Sequence, residues 1–589
     1  EQPPGECSGV IERPGTCGPG ALDTFFCCVK EHTRYQSVVS ETAVTYSRYM
    51  NAQQPDRPGA PSLDGPHDPE HDPTASYALE PEYVASLTRR VRSSTGRTAE
   101  VRTPINGAPL AHVPQSGEQD VQEAFTRARR AQAAWSRTSL EHRSAIMMRL
   151  HDLVIDRQEE ILDLIVWESG KARQHAFDEP IHIALTARYY ARTAHQHLDP
   201  RRRLGVVPGL TRVEVNRVPK GVVGIISPWN YPFTMALCDG LPALMAGNAV
   251  VAKPDAQTML SALLGAQLLE EAGFPKDLWQ VVAGPGSDVG PQVIGQADYI
   301  CFTGSTATGR RVAAGCAERL IGCSLELGGK NPMLVLRDAD VERAAEGAVR
   351  ASFSNAGQLC VSAERLFVAD QVYDRFVERF VARTQAMTLG ASLQWGNDMG
   401  SLVSQAQLDT VTSQVEDAVA KGARVLTGGR ARPDLGPYVF EPTILEGVTP
   451  EMTCFGQETF GPVVSLYRFH DEADAVARAN AGEYGLNGSV YSRDGARARA
   501  IAREIACGTV NVNEAFAATF ASIDSPMGGM RQSGMGRRQG SEGIHRYTET
   551  QSVATQRLIR IAPMLGMSDE TYARVMTAQL RVMKKLGRP

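Results

Sequence analysis

No stretch of this 589-residue chain approaches the ~18 consecutive apolar residues that a membrane-crossing helix needs. Charge of either sign is not in excess: 61 basic side chains stand against 66 acidic ones, a net of −5. The first absence excludes a helical membrane protein, and the second leaves no electrostatic footprint for nucleic acid. A metal set is also not spelled out. His32 follows Cys27 and Cys28, but no Cys-x-x-Cys accompanies it. What remains is an ordinary globular composition, 42% hydrophobic and 22% charged. Its length exceeds one core and calls for at least two or three domains.

The first residue is Glu, which suggests a fragment, a processed end or a doubtful reading frame. Residues 1–75 are rich in Pro, Gly, Asp, Glu and Ser and poor in aliphatics. Such a segment cannot bury enough apolar surface to offset its ordering entropy, so a disordered extension is expected. Its Cys7, Cys17, Cys27 and Cys28 leave a disulfide or metal module as the alternative. The apolar run 25–29 is too short for a signal-peptide core. The other seven of the 11 cysteines are scattered and suit a reducing compartment, so a cytoplasmic location is expected.

From residue 120 onward helix and strand signals alternate. Val121, Ala124, Phe125, Ala128 and Trp135 fall at helical spacing behind Ser116, the expected cap, and 146–167 continues as long amphipathic stretches. Short apolar runs follow at 222–226, 249–252, 280–283, 299–303 and 333–336, separated by helical segments such as 261–272 and 290–297. Buried runs joined by helices predict a parallel sheet with crossovers. A second set, with strand-like runs at 424–426 and 463–469, predicts a second α/β domain sharing one cleft with the first.

Most cysteines behave as small buried hydrophobes, and that is the expectation for Cys301, Cys316 and Cys323. Cys360 differs. Ser354, Asn355 and Gly357 precede it and Ser362 follows, a polar, turn-prone seat for a nucleophilic thiolate. Glu326 stands between Leu325 and Leu327 before Gly328-Gly329. An acid in an apolar run has a partner or a raised pKa, and a carboxylate nearer neutrality suits a general base. The other reading is a solvated strand-end acid. Asn230, between Pro228 and Pro232, reads as a turn residue or as an amide able to hold an oxyanion. Gly304-Ser305-Thr306-Ala307-Thr308-Gly309 follows a strand and opens a helix, which suits a pyrophosphate. It is not G-x-G-x-x-G, and a plain turn fits equally.

Around the Cys360 loop six ordered motifs carry a resemblance: Ile226-Ser227-Pro228-Trp229-Asn230-Tyr231-Pro232, Val251-Ala252-Lys253-Pro254, Phe302 to Gly309, Leu325-Glu326-Leu327-Gly328-Gly329-Lys330, Glu458-Thr459-Phe460-Gly461-Pro462-Val463 and the glycine-rich Pro526-Met527-Gly528-Gly529. Over residues 101–550 the chain resembles the aldehyde dehydrogenase superfamily. Within it the chain is most similar to actinobacterial succinate-semialdehyde dehydrogenases, through Lys253-Pro254-Asp255 and the segments 354–360 and 508–514. The resemblance implies a Rossmann-type cofactor domain (76–327), an α/β catalytic domain (328–525), and a closing segment with an oligomerisation strand and helical tail (526–589). A small β arm would join subunits into a homodimer or homotetramer.

It also implies the chemistry. The Cys360 thiolate adds to the aldehyde, Asn230 and the Cys360 N–H hold the oxyanion, hydride leaves to NADP or NAD, and Glu326 activates water against the thioester. The cofactor would meet Ile226, Ser227, Pro228, Trp229, Lys253, Asp255, Ala256, Gly304, Ser305, Gly309, Leu327, Glu458 and Phe460. NAD-preferring relatives usually place Glu where Ala256 stands, so NADP is expected, with Asp255 as the complication. Ser362 occupies the place of a second, redox-active cysteine in some relatives, so that switch is not expected.

Neither arginine that holds the substrate carboxylate in well-studied relatives is clearly retained. One of the two positions is Ser354. Arg192 and His195 are the nearest cationic replacements, with Ser354 and Ser525 as neutral donors and Tyr231 and Phe233 narrowing the tunnel. Succinate semialdehyde is the expected substrate. Another aldehyde, or an inactive structural relative, is the alternative. The tail 559–589 reads as a helix packed on a neighbouring subunit or its own body rather than on a membrane surface.

Overall fold

The computed structural model describes residues 79–206, 210–557, 560–564 and 566–587. The extension expected over 1–75 lies outside them. Among the described residues no helix is long and apolar enough to cross a membrane.

Two sheets dominate the α/β architecture. The first has six strands in the order Gly534–Met535, Gly322–Glu326, Tyr299–Thr303, Val222–Ile226, Ala249–Lys253, Trp279–Val281. All neighbours are parallel except Gly534–Met535, which runs against Gly322–Glu326. Val222–Ile226 and Ala249–Lys253 are buried at every position, which is why they read as unbroken apolar runs rather than alternating ones. Their register aligns Ile226 with Lys253 and with Phe302, and Thr303 with Glu326. Residues expected to meet the cofactor therefore emerge together at one carboxyl edge, where open parallel sheets bind ligands.

The second sheet runs Arg424–Thr427, Thr443–Glu446, Val463–Phe469, Ala363–Ala369, Asn331–Val335, Asn487–Tyr491, Thr509–Val512. Only its first pair is antiparallel. Residues 327–330 are the whole span between the end of Gly322–Glu326 and the start of Asn331–Val335. The carboxyl edge of one sheet thus abuts the amino edge of the other. Cys360 precedes Ala363–Ala369 at that amino edge. A third sheet pairs Thr548–Gln556, Thr211–Pro219 and Arg201–Arg203 antiparallel, with Thr548–Gln556 at its edge and exposed beyond Thr548.

Two local expectations change, and a third gains its boundaries. The helix Glu118–Trp135 is capped at Gly117, whose N–H donates to Asp120 Oδ2 at 2.7 Å. Ser116 is occupied elsewhere: its hydroxyl donates to the Arg92 carbonyl and accepts the Ala283 N–H. The amphipathic stretch 146–167 is two helices, Leu140–Asp156 and Gln158–Ser169, broken at Arg157. Arg157 turns its guanidinium to Glu160 and Glu271. The tail helix Asp569–Lys585 has no buried residue, so it does not pack on the body of its own chain.

Candidate active site

Helix Val341–Phe353 ends in a tight turn, Ser354–Gly357, before Cys360. Asn355 and Ala356 hold left-handed φ angles of 52° and 54°, and Gly357 one of 70°. Asn tolerates that region; Ala does so only where its surroundings impose it. The surroundings do. Asn355 Nδ2 donates to the carbonyls of Asn230 (3.2 Å) and Gln358 (3.1 Å), and Gln358 ties itself to Ser401 and Val403. Cys360 is half-buried, and the Asn331 amide donates to its carbonyl at 2.8 Å.

Asn230 joins this loop. Its Nδ2 donates to the Gln358 carbonyl at 3.0 Å, which uses one of the two N–H groups an amide carries. Its own carbonyl accepts from Lys171 Nζ at 2.7 Å. Lys171 is fully buried, paired with Glu179 Oε1 at 2.7 Å and seated 3.9 Å from the Tyr231 ring centre. Composition gave no sign of this pair. Severing such a buried pair costs about 3–5 kcal/mol, so the seat of Asn230 is held firmly.

Glu326 ends its strand buried, with Gly528 of the closing segment so near that an added Cβ would lie 3.0 Å from Glu326 Oε1. Burial raises its pKa to about 7, and Arg538 is the largest opposing influence. Burial also pushes the Cys360 thiol up to about 12, with Arg538 lowering it and Glu326 and Glu458 raising it further. Nucleophile and acid thus share one field. A carboxyl group poised near neutrality can act as a general base. Cys301 and Cys316 are buried, and Cys323 is partly so.

The cofactor candidates cluster along the carboxyl edge of the first sheet. Lys253 is buried, its pKa is lowered by that burial, and its ammonium donates to the Pro254 carbonyl at 3.2 Å. Asp255 Oδ1 accepts the N–H of Gln257 at 3.0 Å, and Ala256 is half-exposed. Ile226, Ser227 and Leu327 are buried. Pro228 and Trp229 follow Ser227 in the same loop. Gly304 approaches Phe302, and Ser305 caps helix Thr306–Glu318 by accepting from Thr308 N. An added Cβ on Gly309 would lie 2.5 Å from Leu327 Cδ2, so glycine lets the helix close on the strand end.

Across the span 327–330, Glu458 Oε1 accepts from Gly329 N at 2.8 Å, and burial raises its pKa to about 8. Phe460 stands edge-on to Trp229, with ring centres 5.5 Å apart. The segment is bolted down by Glu364, which sequence reasoning missed. Its carboxylate accepts the N–H groups of Thr459 and Phe460 and pairs with Lys330.

A cavity opens beside the nucleophile loop, lined among others by Tyr231, Leu359 and Val361. Helix Asp178–Leu198 contributes Asp178, Ile181, His182 and Leu185. Arg350 is its cation. The guanidinium lies 5.8 Å from the Phe516 ring centre and 3.8 Å from Glu514. Arg350 sits one helical turn before Ser354, whose hydroxyl donates to the Arg350 carbonyl at 2.7 Å. Ser354 is thereby spent on its own helix. Arg192 lies two turns past Leu185, about 10 Å further along the helix, exposed and outside the lining. His195 pairs with Glu141 and Asp199, and Ser525 is exposed. Of the expected substrate contacts only Tyr231 lines the cavity.

Residues 91–553 match the profile of the Aldehyde dehydrogenase family. A Mycolicibacterium smegmatis protein named "Putative succinate-semialdehyde dehydrogenase (NADP+)" is 50% identical over 482 residues, 82% of this chain and 93% of that one. A Pseudomonas putida protein named 3-sulfolactaldehyde dehydrogenase is 36% identical, covering 79% of this chain and 94% of its own length. The crystal structure of an E. coli NADP dependent enzyme superposes with a TM-score of 0.77 at 34% identity, covering 80% of this chain and 99% of that one.

Proposed function

The chain belongs to the aldehyde dehydrogenase family, and from that premise we propose that it oxidises a short aldehyde bearing a terminal anion, succinate semialdehyde in the first instance, with NADP as the preferred cofactor. The carrying observation is the convergence of Cys360, Glu326 and Asn230 where the two sheets abut.

In this reading Cys360 Sγ adds to the carbonyl carbon as the thiolate, its proton having passed to solvent. The second N–H of the Asn230 amide and the Cys360 N–H hold the oxyanion. Removing one such donor typically costs about 2.7–4 kcal/mol of barrier. Bound dinucleotide supplies the hydride acceptor. Its fit rests on a buried Lys253 whose ammonium donates to a backbone carbonyl and feels the charge of Asp255, and on Glu458 anchored at one oxygen by Gly329. The acyl group left on Cys360 is released by water whose proton passes to Glu326. The six-stranded sheet is assigned to the cofactor and the seven-stranded one to the nucleophile. The exposed edge strand Thr548–Gln556 is assigned to assembly as a homodimer or homotetramer.

The substrate reading is supported by the M. smegmatis relative and by Arg350 in the cavity. Asp178 also lines it; burial raises its pKa, with Lys171 and Arg350 opposing that shift. The test compares succinate semialdehyde, 3-sulfolactaldehyde, butanal and benzaldehyde, in wild type and in Arg350→Met. The carboxylated aldehyde should lead, and Arg350→Met should cost it tenfold or more, about 1.4 kcal/mol, while sparing butanal. Equal kcat/KM for uncharged aldehydes would replace this substrate with a broad specificity. Preference for the sulfonate would favour the chemistry named for the P. putida relative.

A further inference from the structure

Arg538 Nε and Glu326 Oε1 face each other at 3.9 Å, both buried, and neither has a hydrogen-bond partner. The gap is too long for a hydrogen bond. The guanidinium is held back from closing it. Its Nη2 donates to Asp239 Oδ2 and to Thr303 Oγ1, each at 3.0 Å, and its Nη1 reaches the Met235 sulfur at 3.2 Å. Asp239 is held in turn by Arg546 Nη2 at 2.6 Å, and Arg546 also donates to Ser324 Oγ and Tyr547 OH. Thr303 and Ser324 lie on the two paired strands whose ends carry Glu326, so tether and base share one rigid frame.

We propose that Arg538 is a positioning residue for Glu326, tethered by Asp239 and Thr303 so that its Nε–H stands off the carboxylate instead of closing a salt bridge with it. This rests on the base role proposed for Glu326. A closed pair would hold the carboxylate ionised and engaged, a weak base. Without Arg538, Glu326 would face the charge of Asp239 with only the weaker influence of Arg546 and Arg537 to offset it, and its proton would be held to higher pH. The stand-off lies between the two. The charged groups acting on Glu326 are Arg537, Arg538 and Arg546 from the closing segment and Asp239 from the start of helix Gly240–Met245, and Cys360 shares the field.

The two ends of the tether make opposite demands. Removing Arg538 removes the strongest of the cations acting on Glu326, while neutralising Asp239 frees Arg538 to close on Glu326. Arg538→Met, Arg538→Lys and Asp239→Asn are therefore compared with wild type, using succinate semialdehyde and NADP. Steady-state turnover is followed as a function of pH, and the first turnover by stopped flow. Arg538→Met should move the acid limb of kcat up by about one pH unit, with a burst of reduced cofactor of undiminished amplitude. Asp239→Asn should move it down. Arg538→Lys keeps one charge on Asp239 but has no Nε. It should move the limb up by about half a unit, and it carries the comparison if Arg538→Met does not fold. Acid limbs that stay put, or shift in the same direction for both ends of the tether, overturn the proposal. A wild type that reduces no cofactor overturns it together with the dehydrogenase reading, whereas wild-type turnover with unmoved limbs overturns only the role of Arg538.

Discussion

A methyl group on the α-carbon of Gly328 would stand 2.4 Å from Glu458 Oε2, well inside contact. The same carboxylate accepts the N–H of Gly329 at its other oxygen. The glycine pair is thus shaped around Glu458, and Glu458 belongs to the proposed cofactor seat.

Gly328→Ala must push Glu458 aside. Affinity for NADP, read by isothermal titration, should fall about tenfold, about 1.4 kcal/mol, with little change in Tm. Unaltered affinity would remove Glu458 from the seat.

The covalent scheme separates its two residues in time. Cys360→Ala should abolish oxidation while NADP still binds. Glu326→Gln should give one turnover of reduced cofactor and then stall with the acyl group on Cys360, a mass increment visible in the intact protein. Steady turnover by Cys360→Ala would sink the scheme.

How far the residues announced this site depends on how local each signal was. The strand Val463–Phe469 is legible because an apolar run is bounded by Gly461-Pro462 and a polar turn, and Cys360 is legible from its polar neighbours. Arg538 could be seen only as part of a glycine-rich run, because Asp239, which gives it meaning, lies 299 residues away. Arg350 was hidden differently: it sits one turn before Ser354, the position searched for an anchor, and reaches the cavity from the same helix. Ser116 misled because its hydroxyl prefers two backbone partners contributed by distant segments.

Glu326 also carries a stability cost with a definite sign. Its pKa rises from 4.5 to about 7 on folding, so its contribution is fully present below pH 4.5 and is lost as pH rises through 7. Glu326→Gln does not titrate. Relative to wild type it should gain stability between those pH values, by up to about 3 kcal/mol above pH 7. Denaturant unfolding at acid and at mildly alkaline pH reads this directly, and a difference independent of pH would show that Glu326 is not perturbed.

In the proposed cofactor seat, the choice between NADP and NAD is expected to turn on Ala256. It follows Lys253 by three residues in the loop leaving the strand end, where an adenosine ribose would be gripped, and it offers no carboxylate to repel a 2′-phosphate. Asp255 is the nearest acid, and one of its oxygens is engaged by the N–H of Gln257 at 3.0 Å, which ties it to its own turn. The lysine ammonium donates one hydrogen bond, to the Pro254 carbonyl, and feels the Asp255 charge, so it has donors to spare for a phosphate. Wild type should therefore bind and use NADP better than NAD. Ala256→Glu should reverse the order by weakening NADP, with NAD affinity held or improved, in both binding and kcat/KM. A wild-type preference for NAD of about tenfold or more, ~1.4 kcal/mol in transition-state binding, would mean that Asp255 reaches the ribose after all.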